Sequence, residues 1–187
     1  MPESTVNPPI LIIWSLALIV AVIAGVIDWR SHRIPNWLTV PSLLLGIVAN
    51  SVVLGFHGTK LSLEGAGLCL IALLPVVLVR GLGAGDWKLM GALGAFLGPY
   101  AVLVVLFVAV MIGGIMAVVQ MVSHRRVKQT LTNLWFLLSM LIMLKFKAHE
   151  QISIDSPNGL KLPFGVATAL STVLCFGWVG IGAHIVR

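Results

Sequence analysis

Carboxylates are few enough in this 187-residue chain to be weighed one by one: Glu3, Asp28, Glu64, Asp86, Glu150 and Asp155. Glu3 stands in a polar N-terminal tail and Glu150 and Asp155 in a polar stretch. Glu64 follows Lys60 by one helical turn, a spacing that pairs the two on a helix surface. Asp28 and Asp86 differ from these. Asp28 closes the apolar run Ile10–Ile27, and Asp86 sits in RGLGAGDWKLMGALG, between one apolar run and the next. An ionisable group at the margin of hydrocarbon is costly to keep there, which makes both functional candidates. Two carboxylates that share a site cannot both be comfortably ionised, so one keeps a proton. The ionised member can then take a proton from water while its neighbour donates to a peptide carbonyl, as in aspartic proteases. Each acid also has a plainer reading. Asp28 can be a solvated residue paired with Arg30 or Arg33, and Asp86 a helix cap accepting from the N–H of Lys88 or Leu89.

Other chemistries find no pattern. His32, His57, His124, His149 and His184 are scattered, with no HExxH, so no metal site and no cofactor are expected. There is no GxSxG for a serine hydrolase. Cys69 and Cys175 stand alone within apolar runs and read as small hydrophobes. The glycines before Asp86, Gly83 and Gly85 among them, let the chain reach positive φ or let another backbone approach. Arg30, Arg33 and Lys88 flank the two acids. They can anchor helix ends to lipid headgroups, tune the charge of an Asp, or receive an acidic group of a substrate. Lys88 lies two residues beyond Asp86, which on a helix points it elsewhere.

The elements that must position these residues are set by composition. Hydrophobic residues make up 59% of the chain and charged residues 10%, where soluble proteins carry about 25% charged residues. A globule of this size cannot hide so much apolar surface from water, so lipid must cover it. The net charge of +6 lies at the ends of apolar runs, which fits membrane lipids as partners and not nucleic acid. The first run follows MPESTVNPP, which has no Lys or Arg, and precedes Arg30 and Arg33, so it reads as a retained span and not a secretion signal.

The expected fold is an all-α membrane protein forming a single embedded domain over residues 1–187. Six spans are expected, at 9–27, 38–56, 61–79, 85–98, 100–122 and 162–183, with an interfacial helix at 131–146. The fourth is short and glycine-rich, ending at Gly98-Pro99, and Gly91, Gly94 and Gly98 permit close helix contact. Pro75 is expected to kink the third. With both termini outside, ten of the twelve positive charges lie on the inner side, together with Asp28 and Asp86.

The same segments resemble the type IV prepilin peptidases, a family of membrane-embedded aspartic proteases. IDWRSHRIPNWLT (Ile27–Thr39) is similar to the family stretch in which Asp precedes a basic patch and then Ile-Pro-Asn and Leu-Thr. GLGAGDWKLMGALG (Gly81–Gly94) holds Gly-x-Gly-Asp as Gly83-Ala84-Gly85-Asp86, and GLKLPFGVATAL (Gly159–Leu170) resembles the Pro-Phe-Gly segment that opens the last helix. The resemblance implies that Asp28 and Asp86 are the catalytic pair at the cytoplasmic face of a bacterial inner membrane. The implied reaction removes the short basic leader of a prepilin or pseudopilin precursor, with no cofactor. Longer family members carry a four-cysteine zinc insertion after the first span and methylate the new N-terminus. Here only Ser31–Asn36 follows that span before the next apolar run. The chain therefore resembles the compact, peptidase-only kind found with tight-adherence (Flp) pili, an archaeal preflagellin peptidase being similar in architecture. A small transporter or channel component, or a non-catalytic pilus assembly protein, are the competing readings.

Overall fold

The computed structural model describes residues 8–79, 81–123, 135 and 163–181. They form four helices: α1 (Pro8–Ser31), α2 (Asn36–Leu78), α3 (Ala84–Ser123) and α4 (Phe164–Ile181). The all-α membrane class holds, but the number of spans does not. Three helices are long and apolar enough to cross a membrane, within Pro9–Ser31, Asn36–Leu78 and Ala84–Gln120, where six spans were expected; the apolar part of α4, Phe164–Trp178, is shorter. The expected spans 38–56 and 61–79 are the two arms of α2, and 85–98 and 100–122 are the two arms of α3. No loop separates the arms. A single residue breaks each helix, Gly55 at φ 60° and ψ −143° and Gly98 at φ 75° and ψ 177°, and helical bonding resumes at once on the far side. The short glycine-rich helix expected at 85–98 is thus not a separate element. Trp135 apart, the expected interfacial helix at 131–146 lies outside the described residues.

Length explains why α2 must bend. Its 43 residues would run about 64 Å as a straight helix, roughly twice the ~30 Å hydrocarbon core. Only glycine takes the positive φ at residue 55 without strain. Beyond it the chain folds back on itself: Ser51 and Thr59 share a hydrogen bond of 2.7 Å, and the Ser62 hydroxyl donates to Gly46 O at 3.5 Å. The α2 start and end therefore lie at one end of the bundle. α3 turns back at Gly98 in the same way. Met90 in its first arm lies beside Thr168 near the start of α4, Ala101 packs with Trp14 and Cys175 at the other end, and Gly113 returns to Phe164.

Two devices bind α2 to α3. The first is a glycine seam, where a side chain at Gly65 would strike Gly94 O and one at Gly94 would strike Gly65 O, so the backbones themselves are in contact. The second is Asn50, which is buried in the apolar core. Pro99 has no N–H to give Ala95 O, and the break at Gly98 frees Phe96 O as well. The Asn50 amide donates to both at 2.9 Å, and to Gly46 O at 3.2 Å. Carbonyls left bare in hydrocarbon are costly, and this side chain covers them. The main core then joins Ile13, Ala17, Val20, Ala21 and Ala24 of α1 to Leu89, Met90, Leu93 and Phe96 of α3. Large apolar side chains such as Ile19, Val52, Phe56, Ile71 and Phe107 face outward, as a lipid solvent requires.

Asn50→Leu keeps size and removes the amide, so it is expected to destabilise the folded protein by about 1–3 kcal/mol. Thermal unfolding in detergent measures this, and an unchanged midpoint would show that Asn50 does not serve the two carbonyls.

Candidate active site

The α1–α2 connection is short, His32 to Pro35, and α2 returns to the same end at Leu78, so the end of α1 and the start of α3 are brought side by side. Gly85 seats them against each other. A Cβ there would lie 3.0 Å from Ile34 O and 3.2 Å from Ile34 N, so only glycine lets the α3 turn reach that backbone. The Lys88 ammonium donates to Asn36 Oδ1 at 2.9 Å, fastening α3 to the start of α2. Trp87 Nε1 donates to Leu70 O at 2.8 Å, fastening it to the second arm. Asp28, at the end of α1, and Asp86, in the first turn of α3, thereby come within electrostatic reach of each other.

Their surroundings differ. Asp28 is 5% exposed, and its Oδ2 accepts from the backbone N–H of Gly165 at 2.8 Å, while the Val166 N–H donates to Pro163 O at 3.1 Å. The Gly165 N–H lies in the first turn of α4, where no helical carbonyl can satisfy it, so a carboxylate of α1 caps α4 and lies at the positive end of its dipole. The approach requires small residues. A Cβ at Gly165 would fall 2.9 Å from Asp28 Cβ and Oδ2, and one at Gly25 would fall 2.7 Å from Ala169 Cβ. Asp86 Oδ1 is buried and has no hydrogen-bond partner. Asp86 follows the first residue of α3, Ala84, and no described residue donates to it, so the capping alternative finds no support. Gly83 and Gly85 provide space and not conformational freedom, since positive φ among the described glycines occurs at Gly55 and Gly98. A Cβ at Gly83 would sit 2.9 Å from Asp86 Oδ2.

The flanking cations stay out of the pair. Arg30 and Arg33 are exposed, and the ion pair found among the described residues is Lys60 with Glu64 at 3.8 Å. Among the described residues no three of His, Cys, Asp and Glu converge as metal ligands. Trp29 and Trp37, at 66% and 67% exposed, stand beside the site in the manner of an interfacial aromatic belt. Sequence reasoning missed three contributors: Gly165, whose N–H meets Asp28, Ile34, whose backbone receives Gly85, and Asn36, which holds Lys88. The Pro-Phe-Gly segment was the available signal for the first, and Ile-Pro-Asn for the others.

With two acids at one end of a membrane bundle, the chain can be compared with known proteins. Residues 15–118, which take in most of α1, all of α2 and most of α3, match the type IV leader peptidase family. The chain belongs to that family. It is 34% identical over 132 residues to the prepilin leader peptidase/N-methyltransferase of Escherichia coli K12, covering 66% of this chain and 58% of that protein. The proteins of the same description in Neisseria gonorrhoeae and Xanthomonas campestris pv. campestris are 35% and 29% identical over 107 and 111 residues. These matches cover 54% and 56% of this chain and 37% and 38% of the relatives, so the chain spans well under two thirds of the curated relatives it matches. No solved structure matches it.

Two glycines test the packing around Asp28. Gly165→Ala, which forces a methyl against that carboxyl, is expected to cost about 1–3 kcal/mol. Gly67→Ala, with nothing within 4 Å of its Cβ, is expected to stay within about 0.5 kcal/mol of the parent or to gain slightly in helix propensity. Unfolding midpoints in detergent compare them, and the reverse order would overturn the close approach of α1 and α4.

Proposed function

We propose that this protein is a membrane aspartic endopeptidase that removes the short basic leader of a prepilin-like precursor, using Asp28 and Asp86 to activate water. The observation that carries the reading is that these two acids, from separate helices, stand at one end of the bundle within electrostatic reach of each other, in a chain of the type IV leader peptidase family. One acid is ionised and takes a proton from water as the oxygen attacks the scissile carbonyl carbon. The other gives its proton to the carbonyl oxygen, leaving a neutral tetrahedral diol. In the second step the proton taken from water passes to the leaving nitrogen, the C–N bond breaks, and a diol proton returns to the second acid. Peptide and water become carboxylic acid and amine, and the pair is restored.

The site faces the cytoplasm in this reading, at the inner membrane of a bacterium. Arg30, Arg33, Trp29 and Trp37 support that side, since exposed cations and indoles beside a helix end suit the inner headgroup layer. Gly83 and Gly85 serve the pair by keeping side chains out of its way. The brief α1–α2 connection and the burial of both cysteines within helices support a compact peptidase without N-methyltransferase activity, of the tight-adherence kind. The partner is a prepilin or pseudopilin precursor whose apolar helix lies beside the enzyme in lipid, with Lys88 in a structural tie to Asn36.

Three measurements test this. Asp28→Asn and Asp86→Asn are each expected to abolish cleavage of a prepilin substrate by the detergent-solubilised protein while leaving it in the membrane, and full activity of either removes that acid from the mechanism. EDTA is expected to leave the rate unchanged, and chelator inhibition reversed by zinc would refute a metal-free site. An Arg33→Cys variant is expected to react with an impermeant maleimide in inside-out vesicles and not in intact cells. Labelling in intact cells would turn the site to the other face.

A further inference from the structure

The two acids are not equivalent, and the difference assigns their roles. Asp28 Oδ2 accepts the Gly165 N–H at 2.8 Å, at the start of an 18-residue helix. A backbone N–H can only donate, so this contact favours a carboxylate with lone pairs to offer and a full negative charge. The positive end of the α4 dipole acts in the same sense. Among the described residues, no such donor reaches Asp86. Its Oδ1 is buried without a partner, and no described residue donates to the group. A buried, unserved oxygen cannot hold charge cheaply, whereas a protonated carboxyl there carries a donor that awaits a substrate acceptor.

Neighbouring charges do not reverse the assignment. Asp86 faces Asp28 from α3, and the pair's repulsion is relieved when one member is protonated. His32, just past α1 at φ 49° with its N–H on Asp28 O at 2.8 Å, acts on Asp28. Lys88 is held by Asn36 Oδ1, and Arg30 and Arg33 are exposed. We infer that Asp28 is the ionised member that takes the proton from water, and Asp86 the proton-bearing member that donates to the scissile carbonyl oxygen. The catalytic meaning of this assignment rests on the peptidase reading above, while the protonation states stand by themselves. In the attack step the Asp28 carboxylate becomes an acid as the water oxygen bonds to carbon, and the Asp86 acid becomes a carboxylate as its proton passes to the carbonyl oxygen. Collapse of the diol reverses both.

Aspartate occurs only at positions 28, 86 and 155, so isotopic labelling of aspartate carboxyl carbons leaves three groups to observe by infrared spectroscopy. The full chain in lipid at neutral pH, without substrate, is expected to show one protonated labelled carboxyl band. That band is expected to vanish in Asp86→Glu, because glutamate is unlabelled, and to persist in Asp28→Glu. A band that persists in Asp86→Glu and vanishes in Asp28→Glu would overturn the assignment, as would its absence from the wild-type protein. If either glutamate variant fails to accumulate in the membrane, Asp86→Asn or Asp28→Asn is read in the same way. Since no cleavage is measured, failure of the peptidase reading leaves this spectrum interpretable, and an overturned assignment leaves the cleavage tests intact.

Discussion

A helix that begins inside a bundle brings N–H groups with no carbonyl behind them, and α4 begins against the side of α1. Asp28 meets that need, its carboxylate lying 2.8 Å from the Gly165 N–H. The bond fixes the start of α4, and it fixes Asp28 in turn. The small residues around it follow from the same constraint. Gly165 and Gly25 leave the two helices close enough for the carboxylate to reach backbone. A larger residue at either point would part α1 from α4 and leave the donors of α4 without their acceptor.

The second acid depends on a different economy of space. Asp86 rides on a turn whose glycines press against backbone, Gly85 on Ile34, while Lys88 and Trp87 tie the same turn to both arms of α2. Behind it the α2–α3 unit is held by the contact of Gly65 with Gly94 and by the Asn50 amide over the carbonyls that Pro99 and Gly98 release. Rigid backbone contacts thus stand under Asp86, which has no hydrogen bond of its own among the described residues to orient it.

The acids themselves were legible in the sequence, because so few charges exist and only Asp28 and Asp86 stand at the ends of apolar runs. The lipid setting was legible for the same compositional reason. The helix count was not. His57–Lys60 and Gly98-Pro99 read as breaks between spans, yet the chain turns at Gly55 and Gly98 alone and resumes helical bonding directly, so the arms form continuous elements. The partner of Asp28 lies 137 residues away at Gly165, a distance over which local periodicity carries no information. Asn50 offered a better clue: an amide in an apolar run needs acceptors, and Pro99 leaves one carbonyl free by its chemistry.

The way the helices are paired has a mechanical corollary. α1 is clasped to α4 through Asp28 and the glycines beside it, and α2 is clasped to α3 through the Gly65–Gly94 crossing, whereas α1 and α2 touch little beyond their brief junction. α3 also packs on α1 and α4, through Leu89, Met90, Leu93 and Phe96 against Ile13, Ala17 and Val20 and through Ala101 and Val105 against Trp14 and Cys175, so one shared core joins the elements that carry the two acids. The spacing of the acids is therefore set by that core, and drawing Asp28 away from Asp86 would first have to open the apolar contacts between α1 and α3.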